Sequence, residues 1–285
     1  MIRILETPRD AIQGLKTFIP TESKIKYLNA VIETGFDIVD VGSLVSPAAV
    51  PQMRDTADIV GKIALNGVAS NLALLVGNER GIRQAAGFKN IRYLIYPFSI
   101  SATFLKLNLN KTVEEAWQTM ECLAETCRQS GKEPLIYLSM AFGNPYGDVW
   151  NEEIVIEQAA RLIDHFKLTY INVCDTTGVA SPGSISIICS ELSRSFPAVE
   201  LAIHLHTRSY DWASKLEAAY LNGCTVFDGV LTGIGGCPMT GYNLLSNLKT
   251  GYILEFARMK GEEIRINRKA YNKALQIAGE IFSTN

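Results

Sequence analysis

Short β-branched or aliphatic runs alternate with longer segments of helical periodicity along almost the whole chain, and few architectures bury both kinds of element in that order. The runs fall at residues 2–5, 37–41, 72–76, 93–98, 135–139, 170–173, 201–205 and 225–229, which makes eight predicted strands. Helical patterns lie between them at 21–34, 48–59, 81–86, 112–130, 154–166, 185–194 and 209–221. Thr112 stands three residues before Glu115, the spacing of a capping box at the start of a helix. No Gly-x-Gly-x-x-Gly turn follows the first run, so eight βα units fit a closed parallel barrel better than an open doubly wound sheet. The expected fold class is α/β, a (β/α)8 TIM barrel with extra C-terminal helices at 246–259 and 267–282. We expect one domain over residues 1–285, with the barrel to about 245 and the C-terminal helices after it.

Composition narrows the partners. Twenty-seven Lys and Arg against 29 Asp and Glu give a net charge of −2, so no long-range field attracts nucleic acid or an anionic membrane. Any anionic ligand must be held by a local site. No apolar run approaches the roughly 20 residues that span a bilayer, and charged residues interrupt the N-terminus at once, so no signal peptide is expected. The six cysteines form no Cys-x-x-Cys pair, which favours reduced thiols and a cytoplasmic location.

In a barrel of this kind the chemistry sits where strands end and βα loops begin. Polar residues there are Arg9 and Asp10, Asp40, Asn78, Ser99 and Ser101, Ser139, Asp175, His204 and His206, and Asp228. Two of the three histidines in the chain are His204 and His206, two apart on one strand and so on one face, as metal ligands require. Hydrogen-bonded core histidines are the alternative use, and position at the rim argues against it. Strand eight is flanked by strands one and seven, so Asp10 can reach the same point, and Asn247 can add a neutral oxygen. Without the histidines, loop capping is the simpler use of Asp10 and Asn247. Two nitrogens and two oxygens suit Mg2+ or Mn2+. His165 reads as a surface residue. Asp175 serves equally well as a carboxylate orienting an imidazole or as a helix N-cap.

Pro8-Arg9-Asp10 with Gln13, Val45-Ser46-Pro47 with Val50-Pro51-Gln52-Met53, and Cys174-Asp175-Thr176-Thr177-Gly178-Val179 form an ordered series of motifs. His204-Leu205-His206 and Gly235-Gly236-Cys237-Pro238 with Ser246-Asn247-Leu248 complete it. In this order the motifs resemble the hydroxymethylglutaryl-CoA (HMG-CoA) lyase family, over the chain to about Thr250. The resemblance implies a divalent-metal-dependent carbon–carbon lyase acting on an acyl-CoA, with Asp10, His204, His206 and Asn247 as ligands. It implies Arg9 polarising the substrate carbonyl, Cys237 as a catalytic-loop thiol and Lys16 near the CoA phosphates. Gln13, Asp40 and Asp175 join Lys16 as expected substrate-side residues, and Arg9, Asp10, His204 and Cys237 form the expected catalytic set.

The chain also departs from the family pattern. Leu5 stands where an acid is usual, with Glu6 offset by one, an offset that turns the side chain to the other face of the strand. Asp40 replaces a longer glutamate, Thr207 and Gly251 replace acids, and Asn144 replaces a second loop cysteine. The interval from Cys237 to Asn247 is one residue longer than usual, which keeps Asn243 as an alternative ligand. These departures keep open a related acyl-CoA lyase, a condensing enzyme joining acetyl-CoA to a 2-oxo acid, and a non-catalytic metal- or CoA-binding scaffold. Tyr271, Leu275, Ala278 and Phe282 form one helical stripe for packing on the barrel or for a homodimer contact, with packing the preferred use.

Overall fold

In the computed structural model, which describes residues 1–65, 67–235 and 246–282, eight parallel strands close into a barrel in sequence order. They are β1 (Arg3–Glu6), β2 (Ile38–Leu44), β3 (Asn71–Val76), β4 (Ile91–Ser99), β5 (Glu133–Ser139), β6 (Tyr170–Cys174), β7 (Glu200–His204) and β8 (Val226–Gly229). β1 pairs with β8 from Arg3↔Val226 to Glu6↔Gly229, which closes the ring. The period-two pleat sorts the strand residues. Leu5, Ile38, Ala73, Ile95, Leu135, Ala202 and Val226 fill the lumen, while Ile4, Val39, Leu72, Leu94 and Ile203 pack outward under the helices.

The helices are α1 (Pro8–Gln13), α2 (Thr21–Glu33), α3 (Thr56–Lys62), α4 (Glu79–Ala86), α5 (Ala102–Leu109), α6 (Val113–Ser130), α7 (Glu152–Phe166), α8 (Pro182–Ser195), α9 (Trp212–Leu221), α10 (Thr250–Met259) and α11 (Arg268–Phe282). The capping box at Thr112 and Glu115 forms with both of its hydrogen bonds, which fixes the start of α6. Three expectations need correction. The helix expected at 48–59 is a 3-10 turn at Pro51–Met53 followed by α3, because Pro51 lacks an N–H and Val50 before it is held out of helical geometry. The helix expected from 246 begins only at Thr250, since Asn247 and Lys249 form bridges to His206 and Val230. Two short helices, α1 and α5, fall where loops were expected.

α11 returns to the first helical layer. Asn267 donates its N–H to the Thr34 carbonyl at 2.9 Å, and Phe282 meets Tyr27 edge-on with ring centroids 5.8 Å apart. Its apolar stripe packs against the core, with Ala278 and Phe282 buried and Tyr271 and Leu275 partly buried. Among the described residues no helix is long and apolar enough to cross a membrane, and the five described cysteines are free.

Candidate active site

Pro8 sits in the first turn of α1, where its fixed φ suits the helix and its missing N–H has no role. Thr7 donates both its N–H (2.8 Å) and its hydroxyl (3.1 Å) to the Gly229 carbonyl, so this turn is pinned to the end of β8. Arg9 and Asp10 therefore enter the mouth from a short helix. Arg9 is buried, and its Nε and Nη2 lie 2.8 and 2.7 Å from Asp40 Oδ2, while Nη1 reaches Asp10 Oδ1 at 2.9 Å. Burial opposes its charge, yet the two carboxylates hold it protonated. Burial pushes the Asp40 carboxyl up to about 6 in spite of that guanidinium. For Asp10 burial acts upward too, but Arg9, His204 and His206 together hold it below the usual carboxylate range.

His204 ends β7 and His206 follows it, with ring centroids 5.2 Å apart and planes at 68°. Each imidazole is oriented through Nδ1. His204 Nδ1 lies 3.0 Å from Asp228 Oδ2, and that carboxylate also accepts from Tyr137 Oη at 2.7 Å and from Asn172 Nδ2 at 2.8 Å. His206 Nδ1 lies 2.6 Å from the Asp175 carbonyl oxygen. A carbonyl only accepts, so His206 is the Nδ1–H tautomer and its Nε2 carries a lone pair. Burial, with His204 alongside, lowers the His206 pKa; burial acts downward on His204 as well, but Asp228 raises it overall.

Asn247 completes the group. Its Nδ2 donates to Asp10 Oδ2 at 2.7 Å, and His206 and Asn247 pair as a single antiparallel bridge. Gly235 has φ +110°, and a Cβ there would meet the Asp10 carbonyl at 2.5 Å and Asn247 Nδ2 at 3.0 Å, so glycine is what allows this approach. Two buried polar atoms here have no hydrogen-bond partner, His206 Nε2 and Asn247 Oδ1. Among the described residues, no group of three His, Cys, Asp or Glu side chains is arranged to hold a metal ion. The Asp10 oxygens instead face Arg9, Gln13 and Asn247.

A cavity opens beside this group, lined by Arg9, Asp10, Gln13, His204 and His206 on one side and by Val45, Val50, Phe104 and Leu109 on the other. Several expected residues lie elsewhere. Asp40 touches the cavity group only through Arg9. Asp175 is fully buried with its carboxylate on Lys215 Nζ (3.1 Å) and the Ala180 N–H (3.0 Å), and it meets site residues through its backbone, the carbonyl on His206 Nδ1 and the N–H on the His204 carbonyl. Lys16 is exposed on a loop that the buried Gln52 side chain ties down through Leu15, Thr17 and Ile19. Cys237 and Asn243 fall outside the described residues. Sequence reasoning missed Tyr137 and Asn172, which face the lumen, and Lys215. For Lys215 a signal existed: it stands three and four residues before Ala218 and Ala219 on the buried face of α9.

A sequence model of the HMGL-like family matches residues 2–250. The chain is 32% identical over 235 residues to a hydroxymethylglutaryl-CoA lyase of Bacillus subtilis, covering 81% of this chain and 76% of that one. It is 31% identical over 239 residues to the cytoplasmic 3-hydroxy-3-methylglutaryl-CoA lyase of Rattus norvegicus, covering 83% and 68%. A crystal structure of the Bacillus subtilis HMG-CoA lyase superposes with a TM-score of 0.90 at 28% identity, covering 98% of this chain and 93% of that one. With the barrel and the ordered motifs on the same residues, the chain belongs to the HMGL-like family.

Proposed function

We propose that this protein is a lyase that cleaves 3-hydroxy-3-methylglutaryl-CoA, the substrate its relatives are named for, to acetoacetate and acetyl-CoA. One observation carries the reading. A buried Arg9–Asp10 pair lines one cavity together with His204 and His206, and two buried acceptors beside it, His206 Nε2 and Asn247 Oδ1, have no partner. Unpartnered polar atoms in such a place are costly unless a ligand satisfies them. Their chemistry, two imidazoles, one carboxylate and one amide oxygen, fits a divalent cation of the Mg2+ or Mn2+ type. Asp10, His204, His206 and Asn247 would hold it, and when bound it supplies Lewis-acid polarisation of the substrate oxygens.

The rest of the chemistry follows from the chain's own groups. The tertiary hydroxyl of the substrate loses its proton, the oxygen forms a carbonyl, and the electron pair of the broken carbon–carbon bond passes to the thioester as an enolate. Arg9, already desolvated and fixed by Asp40, meets that charge where it develops and needs no reorganisation to do so. The enolate takes a proton to become acetyl-CoA, and Cys237 is assigned as its donor on the family motif alone. Gln13 lines the cavity beside Asp10 and orients the acyl chain. The exposure of Lys16 on its tied loop supports its assignment to the CoA phosphates, and the reading carries a cytoplasmic location.

The test is production of acetyl-CoA and acetoacetate from HMG-CoA by purified protein with Mg2+ or Mn2+, with a chelator, and with His204→Ala. Metal-dependent cleavage lost in the variant supports the proposal. Metal binding without cleavage overturns the substrate, and cleavage unaffected by chelator overturns the ligand set.

A further inference from the structure

The structure assigns a positioning role to Lys215, a buried lysine on α9 that stands outside the cavity and sets the tautomer and aim of His206. This inference rests on the proposed ligand role of His206.

Lys215 Nζ has three acceptors. It donates to the His206 carbonyl at 2.8 Å, to Asp175 Oδ2 at 3.1 Å and to the Gly178 carbonyl at 3.5 Å. Lys215 is 2% exposed and Asp175 0%, so both charges are held inside the protein. One side chain thus grips the backbone of His206 and, at the same time, the turn after β6. That turn matters because its Asp175 carbonyl accepts from His206 Nδ1 at 2.6 Å. Asp175 Oδ1 accepts from the Ala180 N–H at 3.0 Å, and the Asp175 N–H donates to the His204 carbonyl at 2.8 Å, so the turn is fixed on both sides.

The consequence for His206 is specific. With Nδ1 committed as donor to a carbonyl that cannot donate back, the ring must carry its proton on Nδ1 and leave Nε2 free. Such outer contacts decide which nitrogen of a ligating histidine is available, and their loss commonly weakens metal affinity by about 10–100-fold. Lys215 acts one step further out. Through the carboxylate it holds the residue whose backbone carbonyl holds the ring, and it does so from a helix that lends no lining residue to the cavity.

The experiment uses 15N-histidine-labelled full-length protein, studied without substrate. In the wild type the His206 ring nitrogens report the Nδ1–H tautomer; an Nε2–H tautomer there overturns the proposal before any variant is made. Lys215→Met leaves a buried carboxylate unpaired, so Lys215→Met/Asp175→Asn, which removes both charges, is the second variant. In either folded variant we expect His206 to become a mixture of tautomers and Mn2+ to bind about 10–100-fold more weakly. Retention of the single tautomer with wild-type Mn2+ affinity overturns the role. Leu216→Ala, which weakens the same helix without touching the network, is the comparison, and an equal loss of Mn2+ affinity there also overturns it. If the wild type binds no Mn2+, the ligand proposal for His206 fails, while the tautomer signal still decides the part played by Lys215.

Discussion

At the mouth the Arg9 guanidinium is desolvated, charged and divided between Asp40 and Asp10. Arg9→Gln should lower kcat by about 100–1,000-fold while leaving Mn2+ affinity close to wild type, measured by steady-state turnover and calorimetric titration. Glu6 offers a different test. The one-residue offset from Leu5 turns it out of the lumen, where it is fully buried and accepts from the Leu231 N–H at 2.7 Å and the Thr250 hydroxyl at 2.5 Å. Burial raises its pKa from 4.5 to about 8 in the folded protein, against the pull of those two bonds. A carboxyl with a raised folded pKa contributes stability that is present in full below about pH 4.5 and is lost as pH climbs through about 8. Glu6→Gln keeps a donor and an acceptor without the charge, so its melting temperature should match wild type near pH 5 and exceed it increasingly toward pH 8.5. Thermal melts across that range check the slope, and a pH-independent difference would show that Glu6 stays ionised. The shared mouth was legible for His204 and His206 from their spacing on one strand and for Arg9 and Asp10 from their place after the first, while Asn247 was read from the loop after strand eight and the family motif. It was not legible for Tyr137, Asn172 and Lys215, since a lone Tyr, Asn or Lys in an apolar run shows nothing of the partner it meets across the barrel.

At the scale of elements, position in the barrel was readable and local backbone geometry less so. Short continuous apolar runs located all eight strands, since each has an apolar inner and outer face to satisfy. The short α1 was hidden because six residues hold too few turns to show a period, yet it delivers the two residues that matter most at the mouth. The segment at 246–249 carried helical residues but pairs with β-type bridges, a tertiary contact that overrides propensity. Gly235→Ala should destabilise the protein by about 1–3 kcal/mol, because the added methyl group collides with backbone that has nowhere to move. Denaturant titration measures that loss, and Mn2+ affinity should fall with it, since Asp10 and Asn247 are the neighbours pushed apart. Thr112→Ala removes the cap of α6, far from the mouth, and should cost about 1 kcal/mol with kcat unchanged.

Across the whole molecule, closure of β1 on β8 leaves no open strand edge, and α10 and α11 finish the outer layer, the last by returning to α2. Trp117 on α6 and Trp212 on α9 belong to well-separated parts of that layer. Tryptophan fluorescence and far-ultraviolet circular dichroism should therefore report one coincident transition in urea. Two separated transitions would divide the C-terminal helices from the barrel as a second folding unit.

The mouth also has a history in time. Glu6 joins Thr250 across 244 positions, and Asp10 joins Asn247 across 237. At ordinary rates of synthesis those partners leave the ribosome on the order of tens of seconds apart. For that interval the leading strand has no eighth neighbour, and Glu6 and Asp10 are solvated carboxylates like any others on a nascent chain. The chemistry of this protein is therefore withheld until synthesis has passed Thr250, and a ribosome stalled before residue 246 holds a chain lacking one proposed ligand and unable to close its site.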